Sequence, residues 1–187
     1  ALDKLEIDVS IPRQDSNSGP GHRGIQVAGD PTMSVEEASR RRDLTVNALL
    51  YDPLTHELLD PSGGLDDLNH GILRPVDETT FLEDPLRAVR AVQFAARLGF
   101  DAHPSLEALC RGASLDELPA ERIQGEWQKL LLKASTPSIG LALARKTTVL
   151  QRLFPELASN NTSEYDAAID RLAQGPRDGL AEGQAWT

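Results

Sequence analysis

Apolar and polar residues alternate from Leu5 to Ile11, with Leu5, Ile7, Val9 and Ile11 on one face and Glu6, Asp8 and Ser10 on the other. This period of two predicts a half-buried strand, closed by Pro12. Arg13 to Gly24 is rich in Ser, Asn, Gly and Pro and predicts a mobile loop, followed by a short strand at Ile25-Gln26-Val27. Ser34 and Glu37 have capping-box spacing, so a helix is expected from about Val35 to Leu49, with Arg40, Arg41 and Arg42 in its middle and Asp52-Pro53 stopping it. Glu57 to Asp60 and Gly71 to Val76 read as short strands flanking a Gly63-Gly64 turn.

From Asp84 onward the strand pattern gives way to helical spacing. Asp84 to Leu98 predicts a helix with Pro85 at its first position and Gly99 just past its end. Further helices are expected at Ser105–Arg111 behind Pro104, Pro119–Lys133, Ser138–Lys146 and Thr162–Ala173, with a frayed Gly-rich end from Gly175 to Thr187. In the helix Pro119–Lys133, Ile123, Trp127, Leu130 and Leu131 form an apolar stripe. The expected fold class is α+β: a small α/β piece over residues 1–76, then a helical piece over residues 77–187.

Composition narrows the function. With 40% hydrophobic and 26% charged residues among 187, the chain reads as soluble and globular. No run of about 18 apolar residues marks a membrane span, and the first residues lack the basic and apolar segments of a secretory signal. Cys110 is the single cysteine, which excludes an intrachain disulfide and agrees with a cytoplasmic location. A net charge of −10 argues against a broad basic nucleic-acid footprint, yet Arg40, Arg41 and Arg42 are consecutive and could hold a phosphate locally. The chain opens without methionine at a strand, as a fragment would.

Candidate chemistry falls in three clusters. On the helix from Asp84, the residues Asp84, Arg87, Arg90 and Arg97 lie within a sector of roughly 140°, opposite Val89, Val92 and Ala96. An Asp and an Arg three residues apart set an acceptor edge beside a forked donor edge, which matches the Watson–Crick edge of a base. The same spacing also fits an ordinary surface ion pair. In the second cluster Arg41 and Arg42 could grip a triphosphate, Asp43 could accept from a ribose hydroxyl, and Asn47 one turn later shares the face of Asp43. A solvated charge run fits equally well. In the third, Asp60-Pro61-Ser62-Gly63-Gly64 reads chiefly as a turn fixed by Asp60, with a ligand-facing backbone as the alternative. Asp8, beside Glu6 on a strand face, is the candidate metal-binding carboxylate, although one strand supplies only part of a two-metal set. His22, His56, His70 and His103 lack metal-ligand spacing.

Three stretches in order carry a resemblance: Arg41-Arg42-Asp43-Leu-Thr-Val-Asn47-Ala-Leu, then Asp60-Pro-Ser-Gly63-Gly64-Leu-Asp66-Asp67-Leu, then Glu83-Asp84-Pro-Leu-Arg87-Ala-Val-Arg90 through Arg97. Together with Glu121-Arg122-Ile123 and Phe154-Pro155-Glu156-Leu157, they resemble the class II CCA-adding enzymes, the family of tRNA nucleotidyltransferases and bacterial poly(A) polymerases, over roughly residues 5 to 157. The resemblance implies a partial polymerase-β-like nucleotidyltransferase head followed by helical neck and body. It implies that Asp43 binds the ribose 2′-hydroxyl, that Arg41 and Arg42 contact phosphates, and that Asp84 and Arg87 pair with the base of incoming CTP or ATP. Arg90, Arg97 and Asn47 join that nucleotide site. Asp8 takes the catalytic, Mg²⁺-binding strand position. The implied reaction is CCA addition, or part of it, to the tRNA 3′ end, or poly(A) synthesis in the same family.

The family's glycine-rich helix and Asp-x-Asp strand do not occur in the chain. The sequence is therefore expected to be an internal portion, inactive alone, with a catalytically silent nucleotide- or RNA-binding module as the reading from another class.

Overall fold

The computed structural model describes residues 13–17, 25–158 and 162–174. The strand expected at Leu5–Ile11, including Asp8, and the tail Gly175–Thr187 lie outside the described residues. β1 (Arg13–Asn17) and β2 (Ile25–Gly29) form an antiparallel ladder with Arg13 opposite Gly29 and Asn17 opposite Ile25. This corrects the loop expected from Arg13: its first five residues are a strand, because cross-strand pairing outweighs the weak strand preference of Asp, Ser and Asn.

α1 (Val35–Arg40) starts at the expected capping box, where the Glu37 amide donates to the Ser34 hydroxyl at 3.2 Å and the Ser34 amide to the Glu37 carboxylate at 3.1 Å. It does not run to Leu49. Arg41 is its C-cap, Leu44 is extended, and a single 3₁₀ turn follows at Thr45–Asn47. The correction has a tertiary cause. Leu44 is fully buried and bridges Pro75, while the Thr45 amide donates to the Arg74 carbonyl and the Val76 amide to the Asp43 carbonyl. Extended pairing with residues 74–76 replaces helical hydrogen bonds that β-branched Thr45 and Val46 would support only weakly. The arginine triplet therefore sits at a helix end, not in its middle.

β3 (Leu50–Tyr51) pairs with β4 (Leu58–Leu59) as a short hairpin. The glycine turn opens a helix that the sequence pattern did not suggest, α2 (Gly64–His70). Gly63 at φ 72° turns the chain, and the Asp60 carboxylate accepts from the Gly64 and Leu65 amides at 2.7 and 3.0 Å, as the structural reading of that turn expects. A Cβ on Gly64 would lie 2.2 Å from the Thr45 carbonyl oxygen, so this glycine serves the close approach of α2 to the 3₁₀ turn.

β5 (Ile72–Leu73) pairs in parallel with β6 (Asp101–Ala102), a strand within the half expected to be wholly helical. Between them run α3 (Glu78–Phe81), capped by Asp77, and α4 (Leu86–Leu98), which ends at Gly99 with φ 70°. α5 (Pro104–Gly112), α6 (Ala120–Lys133), α7 (Pro137–Lys146), α8 (Val149–Leu153), α9 (Pro155–Ala158) and α10 (Thr162–Gln174) complete the described chain.

α4 is the centre of the core and packs on α5, α6 and α7. Its buried face holds Ala88, Val89, Ala91, Val92, Ala95 and Ala96, continuous with Leu44 and Leu73 on one side and Leu130, Ala144 and Leu150 on the other. Each large aliphatic side chain so buried contributes about 1.5–3 kcal/mol. Cys110 is fully buried in α5, and burial pushes its thiol up to about 12, which favours the protonated thiol at neutral pH. Among the described residues, no helix is long and apolar enough to cross a membrane.

Small residues set the distance between α4 and α7. A Cβ on Gly140 would lie 2.6 Å from the Val92 carbonyl oxygen and 2.8 Å from the Ala96 Cβ. Backbone cannot swing aside as a side-chain tip can. We predict that Gly140→Ala lowers the unfolding free energy in urea by about 1–3 kcal/mol. Gly125→Ala in α6, where nothing lies within 4 Å, should instead raise it by up to about 1 kcal/mol.

Candidate nucleotide-binding site

The first turn of α4 and the segment after α1 come together through arginine side chains. Asp84 stands just before α4, where its Oδ1 accepts from the Leu86 amide at 3.2 Å and its Oδ2 from Arg122 Nη2 at 2.8 Å. A carboxylate at a helix N-terminus is also favoured by the helix dipole. One turn on, Arg87 is half-buried and donates from Nη1 to the Thr80 carbonyl at 2.8 Å and from Nη2 to the Arg41 carbonyl at 2.7 Å. Thr80 in turn donates its hydroxyl proton to the Arg40 carbonyl at 3.1 Å. Arg87 therefore ties α4 to the C-terminal end of α1. A guanidinium carries five N–H donors, and these two contacts leave others for a ligand.

Asp43 is buried. Its Oδ1 accepts from the Leu44 amide at 2.9 Å and from Asn47 Nδ2 at 3.1 Å, and its Oδ2 from Arg90 Nε at 2.7 Å. A carboxylate has about four lone-pair directions, so three contacts leave one acceptor site open. Asn47 thus supports Asp43, and Arg90 reaches Asp43 across the two parts of the chain. Arg90 also lies 3.7 Å from Glu126 Oε1 and 5.4 Å from the Phe94 ring centroid. Arg97 is exposed, with its guanidinium 5.9 Å from the same ring centre. Arg41 is half-buried and Arg42 exposed.

A second ion pair holds the segment from behind. Asp67 of α2 is buried, accepts from the Thr45 hydroxyl at 2.7 Å, and accepts from Arg74 Nε at 3.1 and 3.0 Å. This clamps the 3₁₀ turn that directly follows Asp43.

The structure joins Asp43, Asn47 and Arg90 by hydrogen bonds and ties Arg87 to the Arg41 carbonyl, while Asp84 is held separately by Arg122 and the Leu86 amide; Arg42 and Arg97 are exposed. It also shows residues that sequence spacing did not single out for this role. Arg122, Glu126 and Lys129 lie on one face of α6 at i, i+4 and i+7, and Gln93 of α4, which the sequence does place in the polar cluster with Arg90 and Arg97, is buried beside Glu126. Oriented by its neighbours, the Gln93 amide donates to Glu126 Oε2 at 3.3 Å and accepts from Arg97 Nη1 at 3.1 Å. The signal was the polar stripe on α6, which resembles any solvated face until Glu126 is seen to be buried. A cavity of about 660 Å³ between α6 and the helices after it is apolar, lined by Ile123, Trp127, Leu131, Phe154, Tyr165 and Ile169. It shares no residue with the polar set, and an apolar wall offers nothing to a phosphate. Among the described residues no group of three or more His, Cys, Asp or Glu side chains is placed to hold a metal ion.

A family model described as "Poly A polymerase head domain" matches residues 3–74, and one described as "Probable RNA and SrmB- binding site of polymerase A" matches residues 101–160. A multifunctional CCA protein of Xanthomonas campestris pv. campestris is 39% identical over 159 residues, covering 80% of this chain. The chain belongs to the CCA-adding and poly(A) polymerase family. It spans 38% of the length of that curated relative. Among solved structures, a tRNA-processing enzyme with CTP is similar at 36% identity and a TM-score of 0.58, covering 64% of this chain and 34% of that one. A tRNA nucleotidyltransferase complexed with a primer tRNA and an incoming ATP analogue is similar at 34% identity and a TM-score of 0.60, covering 67% and 38%. α4 lies between the two segments that the family models match.

The Asp67 clamp yields a stability test. Asp67→Asn keeps the shape and removes the charge facing Arg74. Because Asp67 is buried and Arg74 partly exposed, the loss should be about 3 kcal/mol in urea unfolding, the lower end for a broken buried pair.

Proposed function

We propose that this chain carries the nucleotide-selecting part of a template-independent RNA nucleotidyltransferase, which adds CCA, or part of it, to the 3′ end of tRNA from CTP and ATP in the cytoplasm. The observation that supports the reading is the placement of Asp84 and Arg87 one turn apart at the start of α4, with Arg87 bonded to the Arg41 carbonyl two residues before Asp43. The relatives' names and the two solved structures support it, one with CTP and one with a primer tRNA and an ATP analogue. In this reading the boundary at residue 76 divides a head portion, residues 1–76, from a helical neck and body portion, residues 77–187. The two share one core through Leu44 and Leu73.

Each side chain has a stated task. Asp84 offers an acceptor and Arg87 donors to the edge of the incoming base. A base with the wrong pattern leaves a desolvated donor or acceptor unpaired, at a cost of about 1–3 kcal/mol, which is about tenfold or more in selection. The Leu86 amide and Arg122 use one lone pair on each Asp84 oxygen, so Arg122 holds the carboxylate in place while acceptor directions stay open for the base. Asp43 takes the ribose 2′-hydroxyl on its open acceptor site and selects NTP over dNTP. Arg41 and Arg42 meet the phosphates, and Arg90 and Arg97 complete the positive edge.

The reaction is an in-line attack of the RNA 3′-hydroxyl on the α-phosphorus, which forms a new phosphodiester and releases pyrophosphate. The family resemblance also implies Mg²⁺, which would neutralise charge on the phosphates. The described residues do not form its ligand set, and Asp8, the candidate in the sequence, lies outside them. What this chain's described residues do is bind and orient the nucleotide. We therefore propose that the 187-residue chain alone binds nucleotide without transferring it.

Titration calorimetry tests the base-reading pair. Arg87→Ala should weaken CTP and ATP binding by about tenfold, the loss of one charge-assisted hydrogen bond, while circular dichroism shows the helices retained. Affinity equal to that of the unaltered chain would remove Arg87 from the site.

A further inference from the structure

α10 packs on α7 and α6 through one side, where Ala173 is buried and Ile169 half-buried. A neighbouring flank of the same helix carries a second apolar row. Tyr165 is 54% exposed, Leu172 79% exposed and Ala168 half-buried, and the three stand at the i, i+3, i+7 spacing of a helix–helix seam. The row borders the mouth of the apolar cavity, whose wall includes Tyr165 and Ile169. Beside it run Glu164 and Arg171, both exposed and neither in an ion pair with a described residue. They are seven residues apart, about 10 Å along a helix, so the two charges cannot meet each other.

We propose that this flank of α10 docks on the same flank of a second copy of the chain, with the two helices antiparallel about a twofold axis. The charges select that occupant. An axis that sets Tyr165 against the partner's Ala168 brings Glu164 beside the partner's Arg171, and by symmetry Arg171 beside the partner's Glu164. A large side chain then meets a small one in each layer of the seam, and both ion pairs close at once. A parallel pairing would stack Tyr165 on the partner's Tyr165 and set Glu164 across from the partner's Ile169, which leaves every charge unpaired. RNA does not suit the face, because its phosphates would meet an apolar row and one arginine accompanied by a glutamate. None of these residues belongs to the nucleotide-binding set. Two 13-residue helices bury less than the roughly 800 Å² per partner of a standard interface, so the association is weak and follows concentration.

Sedimentation equilibrium on the 187-residue chain, from about micromolar to about millimolar, tests the pairing. The average mass should climb toward twice that of the monomer. Arg171→Glu sets two glutamates at each ion-pair position and should weaken association by about tenfold; Glu164→Arg should do the same with two arginines. Both side chains are exposed, so circular dichroism should show the helices retained in each variant. An equimolar mixture of the two variants has opposite charges at both positions again and should associate as the unaltered chain does. A mixture that stays monomeric overturns the antiparallel register. A chain that is monomeric at every concentration overturns the proposal, and so does association that ignores both substitutions, which would mean apolar contact in some other orientation.

Discussion

Two buried carboxylates, Asp43 and Glu126, share the guanidinium of Arg90, and the polar surface is arranged around that constraint. Either carboxylate buried without a cation would cost several kcal/mol. Arg90 can serve both only if the segment after α1, helix α4 and helix α6 keep their relative positions. The helix end at Arg41, the bridge from Leu44 to Pro75 and the clamp from Asp67 to Thr45 and Arg74 all hold the first of these. The packing of α6 on α4 holds the rest.

α4 consequently has two duties. Its alanine-rich face lets α7 approach until Gly140 touches the backbone at Val92, while its opposite edge presents Arg87, Arg90 and Arg97. Core packing and site geometry are set by the same helix, so they cannot vary independently. The contacts of Arg87 with the Thr80 and Arg41 carbonyls make the point directly: the proposed base-reading side chain also fastens α1 and α3 to α4. In the absence of a nucleotide Asp43, Asp84, Arg87 and Arg90 are already held by protein partners. Selectivity then depends on which of their remaining donors and acceptors a given base and sugar can satisfy.

Much of this was legible in the sequence, for identifiable reasons. α4 was found almost to the residue because Pro85 and Gly99 mark its ends by backbone chemistry that needs no tertiary help. The capping box of α1 was legible for the same reason. The end of α1 was not, because it depends on Leu44 entering the core and on backbone bonds to residues 74–76, which no local pattern announces. α2 was hidden because the Gly63-Gly64 pair reads as a turn, and only the approach to the Thr45 carbonyl shows why a helix can begin there. The clusters around Asp43 and Asp84 were visible as polar spacing and as motif text. Their connection through Arg90 and Arg87 was not, because an arginine's reach across the fold cannot be read from its position in a chain. Glu126 and Arg122 were masked by the ordinary appearance of a charged helical stripe.

The central claim is that the start of α4 reads the base and the segment after α1 reads the sugar of one bound nucleotide. A crystal structure of this chain with CTP tests it most directly. The account predicts the cytosine edge against Asp84 and Arg87 and the 2′-hydroxyl on Asp43. CTP bound elsewhere, touching neither the start of α4 nor Asp43, would contradict it.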